Sequence, residues 1–330
     1  MVMKKNFLLL FCILVTQISV SCSQDDYFQQ EEEKTDITPT DEEGSDNTLS
    51  IEVSLFANNS KGNQSSAAYG DYLFLVPDKR SYIHCYNLKT KKYVCSKNLG
   101  AENERTTGNY ILYHCNQSSF SADFYDKNDP FPLLYISQRA RFDERCFVEV
   151  YRLLPVWDDT KSEYVSLDAQ LVQTIYFPVQ TVSNSLGRIN CAIDADNHFM
   201  YTYSYSTIEG DTERNQCRIS CFNIPDVHQE EVILNDDAIL DSYKFNYNAT
   251  NSQGGCIKDG KLYIGQGYPS AGYIYLNIID LKQKKLIQRV DLLNQYGVTW
   301  EPEGCFFYNG NLMMSTGANI WQLQSDFFNK

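Results

Sequence analysis

The chain is short of positive charge and of histidine. Against 42 acidic residues it has 28 Lys and Arg and only 4 His, a formal net charge of -14. A nucleic-acid partner calls for a basic stripe to displace counterions from phosphate, so that class is excluded. Long apolar runs are missing too. The longest, Phe7 to Val15, is too short and too early to span a membrane in the mature protein. Motifs of familiar catalysts are also absent. There is no Gly-x-Ser-x-Gly around a nucleophilic serine, no phosphate loop and no His-Glu-x-x-His pair. These absences weigh against an enzyme of a common class.

The N-terminus carries an address. "MVMKKNFLLLFCILVTQISVSC" places Lys4 and Lys5 before the apolar run, then small or polar residues up to Cys22. That is the layout of a secretory signal over residues 1–21. Ser19, Val20, Ser21 and Cys22 resemble a bacterial lipobox, with Ser19 where a Leu is usual. The resemblance implies lipidation of Cys22 and a lipid anchor in the outer membrane of a Gram-negative cell. The following "CSQDDYFQQEEE" resembles the acidic tether of surface-exported lipoproteins of Bacteroidetes, which implies display on the cell surface. Residues 23–48 hold ten acids and one Lys with few apolar groups. Such a segment cannot offset its ordering entropy by burial, so residues 22–48 are expected to be a disordered, self-repelling tether. The domain proper is then 49–330.

That domain is rich in strand formers, with 24 Tyr and 18 Phe. It also repeats itself. "QSSA" at 64–67, "QSSF" at 117–120, "RINC" at 188–191, "QGGC" at 253–256 and "PEGC" at 302–305 each open a unit. A second set of short apolar runs follows, "YLFLV", "LLYIS", "FMYTY", "LYIGQ" and "LMMST", then a third, "CYNL", "VYRL", "CFNI", "IIDL" and "IWQL". Fourth strands are expected at 92–99, 171–177, 230–236 and 285–292. The fifth unit lacks one, and "LSIEVSLF" at 49–56 is available to supply it. Four antiparallel strands repeated five times predict an all-β, five-bladed β-propeller, with the last blade closed by the N-terminal strand. Closure by the two chain ends removes the exposed edge. A β-sandwich or a pair of β-domains is the alternative.

Eleven cysteines in an exported chain raise disulfides as a first thought. Their places in the repeat point elsewhere. Cys191, Cys256 and Cys305 share one position with Ala67 and Phe120, while Cys85 and Cys221 share another with Val150 and Ile278. Residues interchangeable with Ala, Val and Ile act as small buried hydrophobes. Cys217 and Cys221 lie on one face of a strand without the further ligands zinc needs. Cys85 and Cys95 flank a hairpin turn, where a cross-strand disulfide stays open as an alternative.

"HCNQSSF" at 114–120 with "FPLLYIS" at 131–137, then "QGGCIKDGKLYI" and "EPEGCFFYNGNL", resembles the five-bladed propeller lipoproteins of Bacteroidetes. They are akin to the helveticin-like and teichoic-acid-cluster C-type propellers. The resemblance covers about residues 49–330 and implies the fold, with no agreed reaction. A His-x-Asn element matches His114 and Asn116, and an acidic element matches Glu301 to Gly304. Gln117 stands where the family has Asp or Asn.

In a propeller the first strands of the blades line the central channel, so Gln64, Gln117, Arg188 and Gln253, with Glu301 and Glu303, should ring one mouth. His114 and Asn116 lie just before the second of those strands. These eight form the candidate ligand-binding set, because closed β-architectures favour ligands at such mouths. Filling and hydrating a narrow channel is the competing role. His114 with Glu303 is the candidate pair for a hydrolase or lyase, which a metal would assist. Asp123, Asp126 and Asp129 offer oxygens for calcium at a spacing unlike the 12-residue calcium loop, so no cofactor is predicted. The reading is a surface-displayed binding module for a glycan, peptide or partner protein, with the exported hydrolase or lyase as the alternative.

The address makes a direct prediction. Cys22→Ser should move the full-length protein from the detergent phase to the aqueous phase on cell fractionation. Unchanged membrane partition would place Cys22 inside an ordinary signal instead.

Overall fold

A computed structural model of the chain describes residues 62–77, 82–99, 114–138, 146–177, 189–205, 212, 214–317 and 319–323. It is a five-bladed β-propeller. Blade 1 is β1 (Asn63–Tyr69), β2 (Tyr72–Pro77), β3 (Tyr82–Asn87) and β4 (Lys92–Asn98). Blade 2 is β5 (Gln117–Phe120), β6 (Leu134–Gln138), β7 (Cys146–Asp158) and β8 (Glu163–Phe177). Blade 3 holds β9 (Asn190–Asp194), β10 (Phe199–Tyr205) and β11 (Gln216–Asn223), and after a short β12 (Glu231–Ile233) ends in β13 (Asp241–Asn248). Blade 4 is β14 (Ser252–Lys258), β15 (Lys261–Tyr268), β16 (Tyr273–Asp280) and β17 (Lys285–Asp291). Blade 5 shows β18 (Gly304–Tyr308), β19 (Asn311–Ser315) and β20 (Ile320–Leu323) among the described residues. The closing strand expected at 49–56 lies outside them, as do Cys22 and Arg188.

Each blade runs antiparallel from its first strand outward. The first strands form a closed ring in which β1 neighbours both β5 and β18, and β14 neighbours β9 and β18. Five apolar seams separate the blades. Phe74, Ile136 and Leu153 fill the seam of blades 1 and 2, and Tyr135, Val150 and Phe222 the next. Ile219, Phe245, Ile264 and Ile279 lie between blades 3 and 4. Cys305, Leu312 and Ile278 follow between 4 and 5, and Leu73, Phe306 and Met313 close the circle between 5 and 1. Alternate residues of one strand face opposite neighbours: Ile264 faces blade 3 and Tyr263 faces blade 5. Both faces are therefore covered, which is why β2 reads as a continuous apolar run rather than an alternating one.

One expected strand is placed differently. The stretch 230–236 does not close blade 3. Its core, β12, pairs in parallel with β8 on the outer edge of blade 2. The amide of Gln173 fixes the approach, donating to the carbonyls of Asp226 and Gln229 at 2.7 and 2.8 Å. The outer strand of blade 3 is β13 instead. Its Tyr243, Phe245 and Tyr247 alternate onto the seam with blade 4, burial that the charged 230–236 stretch cannot supply. The strap also covers an otherwise open sheet edge.

The cysteines behave as packing groups. Cys191 lies in the seam of blades 2 and 3, and Cys256 and Cys305 lie in that of blades 4 and 5. Burial pushes the Cys217 and Cys305 thiols up to about 12, which keeps them neutral. Cys85 and Cys95 face one another as register partners across β3 and β4, and both are free thiols.

At the axis the inner strands approach closely. A Cβ on Gly254 would fall 2.6 Å from the carbonyl oxygen of Glu303 and 2.7 Å from that of Asn116. Neither backbone atom can yield cheaply. Gly254→Ala should therefore destabilise the domain by about 3 kcal/mol, read as a lower denaturation midpoint. An unchanged midpoint would mean that these three strands do not meet as described.

Candidate functional site

The inner strands each present one unpaired edge to the axis, and buried backbone groups there need partners. Side chains supply them. Ser137 and Ser119 of blade 2 accept the N–H groups of Cys191 and Ile193 at 2.8 and 3.1 Å. Ser66 and Ser315 join blades 1 and 5 through their hydroxyls at 2.8 Å. Gln117 reaches across the axis from blade 2 to blade 4. Its Nε2 donates to the Gly255 carbonyl at 2.6 Å, and its Oε1 accepts the Gly255 N–H and the Tyr203 hydroxyl, the latter at 3.0 Å. The same Tyr203 hydroxyl proton is shared with the Gln253 carbonyl, also at 3.0 Å. The amide of Gln117 thus holds the axis shut, with donor and acceptor both engaged.

The remaining sequence-predicted residues surround this clasp. Gln64 is buried in β1 at a bulge in its pairing with β2. Asn116, Gln253 and Glu303 converge on Gly254, since the carbonyls of Asn116 and Glu303 flank it and Gln253 precedes it. The Asn116 Oδ1 is buried and accepts no hydrogen bond among the described residues. Glu303 is buried, and its N–H donates to the Ser315 carbonyl at 2.7 Å. Gln253 Nε2 donates to Glu301 Oε1 at 2.6 Å. His114 is half-buried in the left-handed region, φ +48°, at the entrance to β5.

Glu301 is the electrostatic feature of the group. Burial raises its carboxyl to about 7, against an ordinary value of 4.5. The hydrogen bond from Gln253 works in the opposite direction and does not overcome the desolvation.

The acidic loop has other employment. Asp129 holds Arg152 through two hydrogen bonds at 2.6 and 2.8 Å, and Asp126 accepts the Asn128 N–H at 2.9 Å. Among the described residues no group of three or more His, Cys, Asp or Glu is arranged to hold a metal ion.

Sequence reasoning missed Tyr203, Ser137 and Ser315, which lie on second strands. The serines did leave a signal, a polar residue at the end of the apolar runs "LLYIS" and "LMMST". Tyr203 left none, because its hydroxyl reaches the axis only through the packing of blade 3.

No protein-family model and no curated protein matches the chain. Solved structures with a similar fold include hydrazine synthase of Kuenenia stuttgartiensis, at 12% identity over 77% of this chain and 61% of that one, TM-score 0.37. Glutaminyl cyclase of Myxococcus xanthus matches at 10% identity over 83% of this chain and 92% of that one, TM-score 0.42. A nidogen/laminin complex matches at 12% identity over 74% and 69%, TM-score 0.38. The likeness concerns the fold alone.

Glu301 fixes a pH dependence. A carboxyl whose folded value lies above its unfolded one favours the folded state while protonated. Stability should fall as pH rises from about 4.5 to 7, by roughly 2–3 kcal/mol after allowance for partial exposure. Denaturation at pH 5 and pH 8 should show this fall in the wild type and a smaller one in Glu301→Gln. Equal falls in both would remove Glu301 as the cause.

Proposed function

We propose that this chain is a binding propeller, carried on the outer surface of the cell by a lipid at Cys22, with its ligand at the axial mouth bordered by Asn116, Gln253, Glu301 and Glu303. The observation that carries the reading is the division of labour at the axis. Gln117, Tyr203 and the serines are used up in tying the inner strands to one another. The groups beside them keep hydrogen-bonding capacity: the Asn116 Oδ1, and a Glu301 carboxyl held near 7 that changes between donor and acceptor around neutral pH. A polar site of this kind binds and orients a hydroxyl-rich or amide-bearing ligand. The tether proposed for residues 22–48 would hold the domain clear of the membrane and give the site access to glycans or partner proteins.

A glycan and peptide binding screen on the full chain tests this. Gln253→Ala removes the donor to Glu301 and leaves the backbone contacts of the clasp in place. It should weaken whichever ligand emerges by about tenfold, the scale of one hydrogen bond to a charged group. Affinity unchanged in this variant would take the ligand away from the axial mouth.

A further inference from the structure

The seam between blades 3 and 4 changes character along its length. Phe245, Ile264 and Ile279 make it apolar, but towards the same face as the axial mouth it is lined by Gln266, Asn277 and Arg289. Gln266 and Asn277 are buried, and Asn277 Nδ2 donates to Gln266 Oε1 at 2.9 Å. The guanidinium of Arg289 lies between two tyrosine rings, 4.0 Å from the Tyr275 centroid and 5.5 Å from that of Tyr247. Tyr273 stacks beside Tyr275 at 5.5 Å and 17°. Arginine stacks in this way because its flat, weakly hydrated cation sits well on an aromatic face.

Among the described residues the column has no counter-charge. Arg289 makes one long contact, 3.4 Å from Nη2 to Gln266 Oε1, and its buried Nε donates to nothing among the described residues. The acid two residues on, Asp291, is engaged with the N–H and side chain of Asn294 at 3.0 and 2.7 Å. Arg152, by contrast, has the Asp129 carboxylate at both Nε and Nη2. In a chain with half again as many acids as bases, a half-buried arginine with no carboxylate beside it among the described residues is placed to take an anion. Beside it the Asn277 Oδ1 is buried and accepts no hydrogen bond.

We infer that this crevice between blades 3 and 4 is an oxyanion site for an acidic saccharide. Arg289 takes the carboxylate or sulfate through its guanidinium edge, and Asn277 Oδ1 accepts a neighbouring sugar hydroxyl. The rings of Tyr247 and Tyr275 hold the guanidinium in one plane, which preorganises a two-point grip on the oxyanion. The unused acceptor favours a saccharide over a peptide, because a sugar acid carries several ring-fixed hydroxyls beside its charge whereas an acidic residue of a peptide carries one backbone N–H. This site is separate from the axial mouth and does not depend on the ligand there.

Calorimetry on the full chain tests the inference with four probes: an oligogalacturonide, its carboxyl-reduced counterpart, a sulfated oligosaccharide and a glutamate-rich peptide. The wild type should bind one or both acidic saccharides, and which one binds identifies the oxyanion. For a uronate ligand the carboxyl-reduced form should bind at least about tenfold more weakly. Arg289→Gln should weaken the acidic saccharide by a similar factor. If that variant does not fold, the acidic and reduced or unsulfated forms compared on the wild type decide the matter. No binding of either acidic saccharide, equal binding of charged and neutral forms, or preference for the peptide would overturn the inference.

Discussion

Each blade of this propeller has an inner strand with one edge that no other strand can pair, and the structure around the axis follows from that deficit. A buried N–H or C=O left without a partner costs about 1–3 kcal/mol. Pairing the edges directly would need the inner strands to lie side by side in one sheet, which the radial arrangement of blades forbids. Short polar side chains therefore do the pairing: serines between neighbouring blades and Gln117 across the axis. The same requirement explains the glycines. A side chain at Gly304 would meet Ser66 Oγ at 2.5 Å, so the strand that receives the serine must be bare.

The constraint sorts the axial residues by chemistry rather than by position. Gln117 and Gln253 hold the same place in the repeat, but one amide bonds backbone in a non-neighbouring blade and the other bonds a carboxylate. An amide with both ends on backbone is fixed. One that faces a titrating carboxyl has a partner whose hydrogen-bonding sense changes with pH. Loss of Gln117 would unlink blade 2 from blade 4, whereas loss of the Gln253 side chain alters only the mouth. Stability thus rests on one member of this family of positions, and the recognition proposed for the mouth on another.

Much of the architecture was legible in the sequence because the physics that forms a blade is local. Three apolar runs per unit, each buried on both faces, recur wherever a hairpin must fill two seams at once. The exchange of β12 and β13 was not legible. Residues 230–236 and 241–248 are both short enough for an outer strand, and the choice depends on which one meets the seam of a different blade. Ile233 at 63% exposure shows how little that first stretch would have contributed there. The mouth was legible as a set of polar positions from Gln64 to Glu303. Its division into a clasp and the groups beside it was not, since the target of Gln117 lies 138 residues away. Arg289 escaped notice for a similar reason: its strand is ordinary, and its column of rings comes partly from another blade.

The polar end of the seam between blades 3 and 4 runs against the logic of the rest of the fold. A buried ionic group seldom improves stability over an apolar one of like size. Among the described residues the seam of blades 2 and 3 also contains an orphan, the Tyr135 hydroxyl, but burial raises the pKa of that group and keeps it neutral. A guanidinium cannot escape by losing its proton. It must find an anion, reach water or remain a standing cost. Half-exposure gives Arg289 a route to water, yet Tyr247 and Tyr275 hold it in one plane and leave Nε dry. Packing for stability alone would be met by a leucine on β17, as Ile264 and Ile279 meet it deeper in the seam. Retaining a positioned cation there is intelligible as the recognition proposed above, which would then lie at a seam, where two blades must be in register for the column to form.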